Sequence, residues 1–269
     1  MLDPEGELAA RGDVDVSLLK SDGGDSVAAS PTGSRVFYAM NVAEGPLADS
    51  DIRRAIVLAV DTELLVERFF PGATPMRGLL SWTNDGCGEV CSFDADAARA
   101  LVVNSELGEQ PINVDFFEVD GDDFEQRVAE AIASQLRDVG LIATARAHSV
   151  DDYGTRISNG ELELFRFGSI STIATGAGDL QASFHSEGGD NVTSFADESL
   201  DQLLNEAVAE PAPGLRRAIY QEAEQVLFSA IPILPLAQLH THVVLSESLA
   251  EVGFELDGSL DLDAFVWVE

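Results

Sequence analysis

Lysine is almost missing from this chain. Of 269 residues one is lysine, Lys20, and the other basic residues are fourteen arginines. Against these 15 cations stand 48 acidic side chains, a formal net charge of −33. A surface so negative repels phosphate backbones and anionic lipid, which excludes nucleic-acid binding. Long apolar runs are missing too. Stretches such as 55–60 and 231–236 are core-sized, far short of the ~18–20 residues of a membrane span. Cysteine is limited to Cys87 and Cys91, spaced C-x3-C. Neither a second cysteine pair nor an H-x3-H stretch completes a zinc set, and the C-x-x-C of a redox helix is absent. A short loop disulfide formed in an oxidising compartment is one reading of this pair; two reduced thiols are the other. The first thirteen residues, MLDPEGELAARGD, carry no basic start and no apolar stretch. They do not read as a signal peptide, and they resemble the interior of a longer sequence.

What remains is 45% hydrophobic, enough for a substantial core. Residues 36–41 are β-branched and aromatic and predict a strand. Asp49 or Ser50 caps a helix in which Ile52, Ala55, Ile56, Ala59 and Val60 recur at helical spacing. A second helix from Asp61 runs to Phe69 and stops at Pro71-Gly72. Residues 71–92 predict a long loop. From there helix and strand alternate: helix from Asp94 to about Glu106, strand 112–119, helix from Asp122 to Gly140, strand 141–147, helix 150–157, strand 161–168. That alternation predicts a mainly parallel sheet covered by helices. A Ser/Thr/Gly-rich loop, 169–177, leads to a short helix 179–185, with Asp179 as its N-cap or a ligand contact. Helices 197–210 and 214–230 and a strand 233–245 follow, then a mixed β tail.

Several segments, in this order, resemble the extracytoplasmic solute-binding proteins of family 5, the peptide and nickel receptors of ABC importers. They are Phe37-Tyr38-Ala39-Met40-Asn41, Gly45-Pro46-Leu47-Ala48-Asp49, and Ile52-Arg53-Arg54-Ala55-Ile56 with Ala59-Val60-Asp61. Further on come Phe93-Asp94-Ala95-Asp96-Ala97, Ala129 to Leu136 with Val139-Gly140-Leu141, and Phe184-His185-Ser186 with Asn191. Asp201-Gln202-Leu203-Leu204 and Pro232-Ile233-Leu234-Pro235-Leu236 close the set. The resemblance implies an α/β, periplasmic-binding-protein-like fold of type II, represented by its carboxy-terminal lobe. Residues 42–232 are then that lobe. Residues 1–41 and 233–269 are crossing strands that belong to the first lobe, with a hinge near Asn41 and Pro235.

Ligands of open α/β sheets lie beyond the carboxyl ends of the strands. The loop after strand 161–168 is therefore the candidate solute rim, with Ser169, Ile170, Thr172, Thr175 and Asp179. The family's Trp is replaced by Ser169, and 170–178 holds no carboxylate. This weakens the case for an ammonium–carboxylate contact. Asn191 and His240 are further candidates, and Trp82 lies in the long loop. Arg166 either lies on an exposed face or needs a carboxylate partner. His240 and His242 share a strand face, and imidazole pairs suit nickel, although no third ligand is near them in sequence. Asn191-Val192-Thr193 also fits a glycosylation sequon.

Neither a G-x-S-x-G elbow, a P-loop nor a dinucleotide fingerprint occurs. The expectation is a non-enzymatic receptor without cofactor. It would capture a peptide or other small polar solute by lobe closure and serve an ABC permease from outside the cytoplasm, the full-length protein being lipid-anchored. The missing amino-terminal lobe would supply the opposite cleft wall. The alternatives are a ligand-sensing domain of a regulatory protein and a metal-assisted hydrolase built on His240 and His242.

Overall fold

The computed structural model describes residues 26–80, 86–105, 110–170, 176–245, 249–254 and 260–267. Trp82, Thr172, Thr175 and the amino-terminal segment lie outside them. The strands are β1 (Ser26–Met40), β2 (Thr74–Pro75), β3 (Ile112–Glu118), β4 (Ala143–Ser149), β5 (Leu164–Ile170), β6 (Ile233–Leu245), β7 (Leu249–Phe254) and β8 (Leu260–Trp267). The helices are α1 (Ser50–Ala59), α2 (Thr62–Phe69), α3 (Ala95–Asn104), α4 (Phe124–Asp138), α5 (Val150–Ser158), α6 (Ala177–Phe184), α7 (Glu198–Ala209) and α8 (Pro213–Ala230).

Acidic side chains start several helices. Asp49, Asp61, Asp94 and Asp197 each accept a main-chain N–H of the first turn of α1, α2, α3 and α7. The helix dipole favours negative charge there, so part of the acid-rich composition is structural. In α4, Val128, Ile132 and Leu136 recur every four residues and are fully buried. Gly140 follows at φ +98°, a conformation that turns the chain into β4 without a Cβ penalty.

Six strands form one sheet in the order β2-β6-β1-β5-β3-β4, and β7 pairs with β8 alone. The sheet is mixed, which corrects the expectation of a mainly parallel one. β3 is parallel to β4 and β5, but β1 runs against both its neighbours, β5 and β6, and β2 runs against β6. β6, β5, β3 and β4 consequently point the same way. The carboxyl ends of β5, β3 and β4 share one edge.

Side chains alternate across this sheet and build two cores. Val36, Tyr38, Met40, Val114 and Leu164 face α1, α2, α3 and α4. Phe37, Ala39 and Phe165 face α5, α6, α7 and α8. Three boundaries depart from the sequence reading. β1 begins at Ser26, through a Ser/Pro/Gly-rich stretch of low strand propensity, because that stretch pairs with the outer half of β6. β5 begins at Leu164 and extends through Ser169 and Ile170, so those two residues end a strand rather than open a loop. Residues 74–75 and 88–91, within the predicted long loop, form β2 and a 3-10 turn.

Candidate functional site

The common edge is built around Ser169. It lies opposite Arg35 of β1 in the strand register, and Arg35 in turn lies opposite Gln238 of β6. The Ser169 hydroxyl and the Arg35 Nε are buried, and neither makes a hydrogen bond. Arg35 Nη1 donates to the Gly33 carbonyl at 3.1 Å and lies 3.7 Å from Asp179 Oδ2. Burial lowers the Arg35 pKa, and the Asp179 and Glu224 carboxylates oppose that shift. Ile170 ends β5 opposite Ser34.

Asp179 is not an N-cap, one of the two roles expected of it. It lies in the first turn of α6, whose N-cap is Gly176 at φ +70° with no capping side chain. A Cβ at Gly176 would overlap the Leu79 carbonyl, so only glycine fits the turn. Leu79 is held from the other side. Its N–H and that of Leu80 donate to Glu224 Oε1 of α8 at 2.6 and 2.8 Å.

The remaining candidates lie elsewhere. Asn191 is beyond the far end of α6, where its amide donates to the His185 and Phe195 carbonyls and accepts from the Thr193 hydroxyl. That clamp uses its polar groups to close a turn. His240 and His242 stack with ring centroids 6.1 Å apart. His240 Nε2 lies 3.2 Å from the Thr74 hydroxyl, and His242 Nε2 lies 3.0 Å from the Gly72 carbonyl. A carbonyl only accepts, so His242 carries a proton on Nε2, while its buried Nδ1 has no hydrogen-bond partner. Among the described residues no group of three or more His, Cys, Asp or Glu side chains could hold a metal ion. Arg166 meets a carboxylate, its Nε donating to Glu125 Oε2 at 3.1 Å. Burial raises the Glu125 pKa against the opposing effect of Arg166. Cys87 and Cys91 are joined as a disulfide around the 88–91 turn.

Beside this edge the buried charges Arg35 and Glu224 escaped the sequence reading. Arg35 precedes an apolar run and looks like the exposed start of a strand. Glu224 carried a usable signal, because it falls on the same α8 stripe as Tyr220 and Leu227, both buried.

This fold matches that of known proteins. The structure of HbpA2 from Haemophilus parasuis superposes with a TM-score of 0.82 at 19% identity, covering 95% of this chain and 52% of that one. The dipeptide-binding protein of Pseudomonas aeruginosa is 22% identical over 260 residues, 90% of this chain and 47% of its own length. The periplasmic murein peptide-binding protein MppA of Escherichia coli is 25% identical over 256 residues, 84% of this chain and 46% of its own length. The chain thus spans about half the length of the curated relatives it matches. The model of the bacterial extracellular solute-binding proteins, family 5 (middle), matches residues 5–191, more than half of the chain. On that match, and with a type II periplasmic-binding-protein fold around it, the chain belongs to the family 5 solute-binding proteins.

Proposed function

We propose that residues 42–232 form one lobe of a two-lobed receptor and that residues 1–41 and 233–269 reach into the other lobe. The receptor captures a peptide or another small polar solute by closure of the two lobes and delivers it to an ABC permease outside the cytoplasm. It performs no covalent chemistry. The observation that carries this reading is the edge itself. Three co-directional strands, β3, β4 and β5, end together beside β6, and Ser169 and Arg35 leave two buried donors without acceptors there. Such donors favour a solute rich in acceptor oxygens, and peptide carbonyls and carboxylates fit. The names of the relatives, a dipeptide-binding and a murein peptide-binding protein, support the same solute class.

One lobe offers one wall, so this chain should bind weakly, with Kd of about 1 mM or above. The test is a titration of the isotope-labelled chain with alanyl-leucine, followed through backbone amide shifts. Saturable shifts at Ser169, Ile170, Gly176 and Gly178 are expected, with α3 and α4 silent. Absence of shifts at this edge up to tens of millimolar would overturn the reading. Sub-micromolar binding would overturn the two-wall account.

A further inference from the structure

Residues 76–80 and 86–91 cross the second core face between the strand edge and α8. Their path is fixed at each end. The Met76 N–H donates to the Leu236 carbonyl at 3.1 Å, and the Cys87 N–H donates to the Arg77 carbonyl at 2.9 Å. In the middle stands Glu224, a carboxylate buried to 1% exposure. It receives the Leu79 and Leu80 N–H groups. It also packs so closely on Gly86 that any side chain there would overlap it. Met76, Leu79, Leu80 and Cys87 are themselves buried in that core with Leu180, Tyr220 and Leu227. The chain then turns through the 88–91 segment, which the Cys87–Cys91 disulfide closes.

Among the described residues this strap touches the candidate solute edge at Gly176. The Leu79 carbonyl lies against Gly176, where a Cβ would collide with it. Gly176 accepts the first hydrogen bond of α6, from the Leu180 N–H at 3.1 Å, and Asp179 lies in the same turn beside Arg35. Glu224 therefore acts on the Gly176–Asp179 turn through the Leu79 peptide. A buried carboxylate that holds two main-chain N–H groups fixes that peptide more firmly than apolar packing would.

We propose that Glu224 is a positioning residue for the solute edge and that the Cys87–Cys91 bond keeps the strap within its reach, so that reduction of the bond loosens the Gly176–Asp179 turn. The proposal rests on the reading of that edge as the solute site. Reduction requires a dithiol, which supplies two electrons and two protons, becomes a disulfide itself and leaves Cys87 and Cys91 as thiols.

Native-state hydrogen exchange on the intact chain, with no solute present, tests the coupling. The reporters are the amides of Leu79, Leu80 and Leu180; the control is Ile132 in α4, on the opposite face of the sheet. Treatment with dithiothreitol should accelerate exchange at all three reporters about tenfold and leave Ile132 unchanged. E224L in the oxidised chain should do the same. E224Q, whose amide oxygen still accepts both N–H groups, should stay within about twofold of the parent. Reduction of E224L should then add little. An unchanged Leu180 in the reduced chain would overturn the proposal, as would equal acceleration at Ile132 or an E224Q that matches E224L. Should E224L fail to fold, the reduced parent chain and E224Q decide alone. Because no solute enters the measurement, its failure leaves the edge reading standing. Failure of the alanyl-leucine titration leaves the coupling standing in turn.

Discussion

His148 Nε2 lies 2.7 Å from the Asp115 Oδ1, joining the end of β4 to the middle of β3 by a buried polar contact. Asp115 is fully buried and also accepts from Arg146 Nε at 2.5 Å and Nη2 at 3.0 Å. The Tyr153 hydroxyl, on α5, lies 3.2 Å from the Asp115 carbonyl and 2.7 Å from that of Arg166. This cluster ties β4, the edge strand, and α5 to the centre of the sheet. It stands behind the edge that the solute reading uses.

Removing the hub should therefore be costly. Asp115→Ala leaves His148 buried beside an absent acceptor and strips Arg146 of its fork partner. Breaking a buried pair in this way costs about 3–5 kcal/mol, and the partial exposure of Arg146 places the expected loss near the lower figure. Urea unfolding of the two proteins measures it. A difference below about 1 kcal/mol would mean that the cluster carries no structural role.

Gly176→Ala tests the turn itself. Alanine must adopt φ +70° there and meet the Leu79 carbonyl, so strain and overlap act together. A loss of about 2 kcal/mol or more is expected, larger than for Gly178→Ala, which meets nothing within 4 Å. Equal effects of the two substitutions in thermal denaturation would refute the close approach.

Much of this architecture could be read from local signals, and what could not has a common cause. The α4 stripe of Val128, Ile132 and Leu136 and the caps at Asp49, Asp61, Asp94 and Asp197 are local features of one segment. Strand 233–245 was legible in the same way. The outer half of β1 was not, because its pairing with β6 lies some two hundred residues away and overrides poor propensity. The same holds for the strand directions, which depend on how distant segments meet. At the candidate edge, Ser169 and Asp179 could be named from their place in the chain. Arg35, beside Asp179, and Glu224, which holds Leu79 and Leu80, come from β1 and α8, and only the fold brings them near.

Charge makes the stability of the whole chain depend on salt. With a formal net charge of −33, self-repulsion opposes the compact state, and ions screen it. Raising sodium chloride from 0.1 to 1 M should lift the melting temperature by about 3 °C or more, equivalent to ~1 kcal/mol for a chain of this size. A flat or falling melting temperature in differential scanning calorimetry would show that helix caps and ion pairs already balance the repulsion.

The stacked pair on β6 gives a pH dependence whose sign is fixed. Burial, followed by the neighbouring His242, lowers the His240 pKa below its ordinary value. The groups placed against the two rings are the Thr74 hydroxyl, the Gly72 carbonyl and each other. Between the lowered folded value and the ordinary value of ~6.5, the unfolded chain holds a proton on this histidine and the folded chain does not. Stability then rises with pH through that window, and acidification from neutral pH removes stability. Glu125, whose pKa burial raises, acts in the opposite sense, but it is present in parent and variant alike. His240→Gln keeps a polar group near Thr74 and cannot titrate. Its urea midpoint should fall less than that of the parent between pH 7.5 and pH 5.5. Equal falls would show that His240 titrates in the folded chain as it does in the unfolded one, and the burial of the β6 pair would then contribute nothing to the acid response.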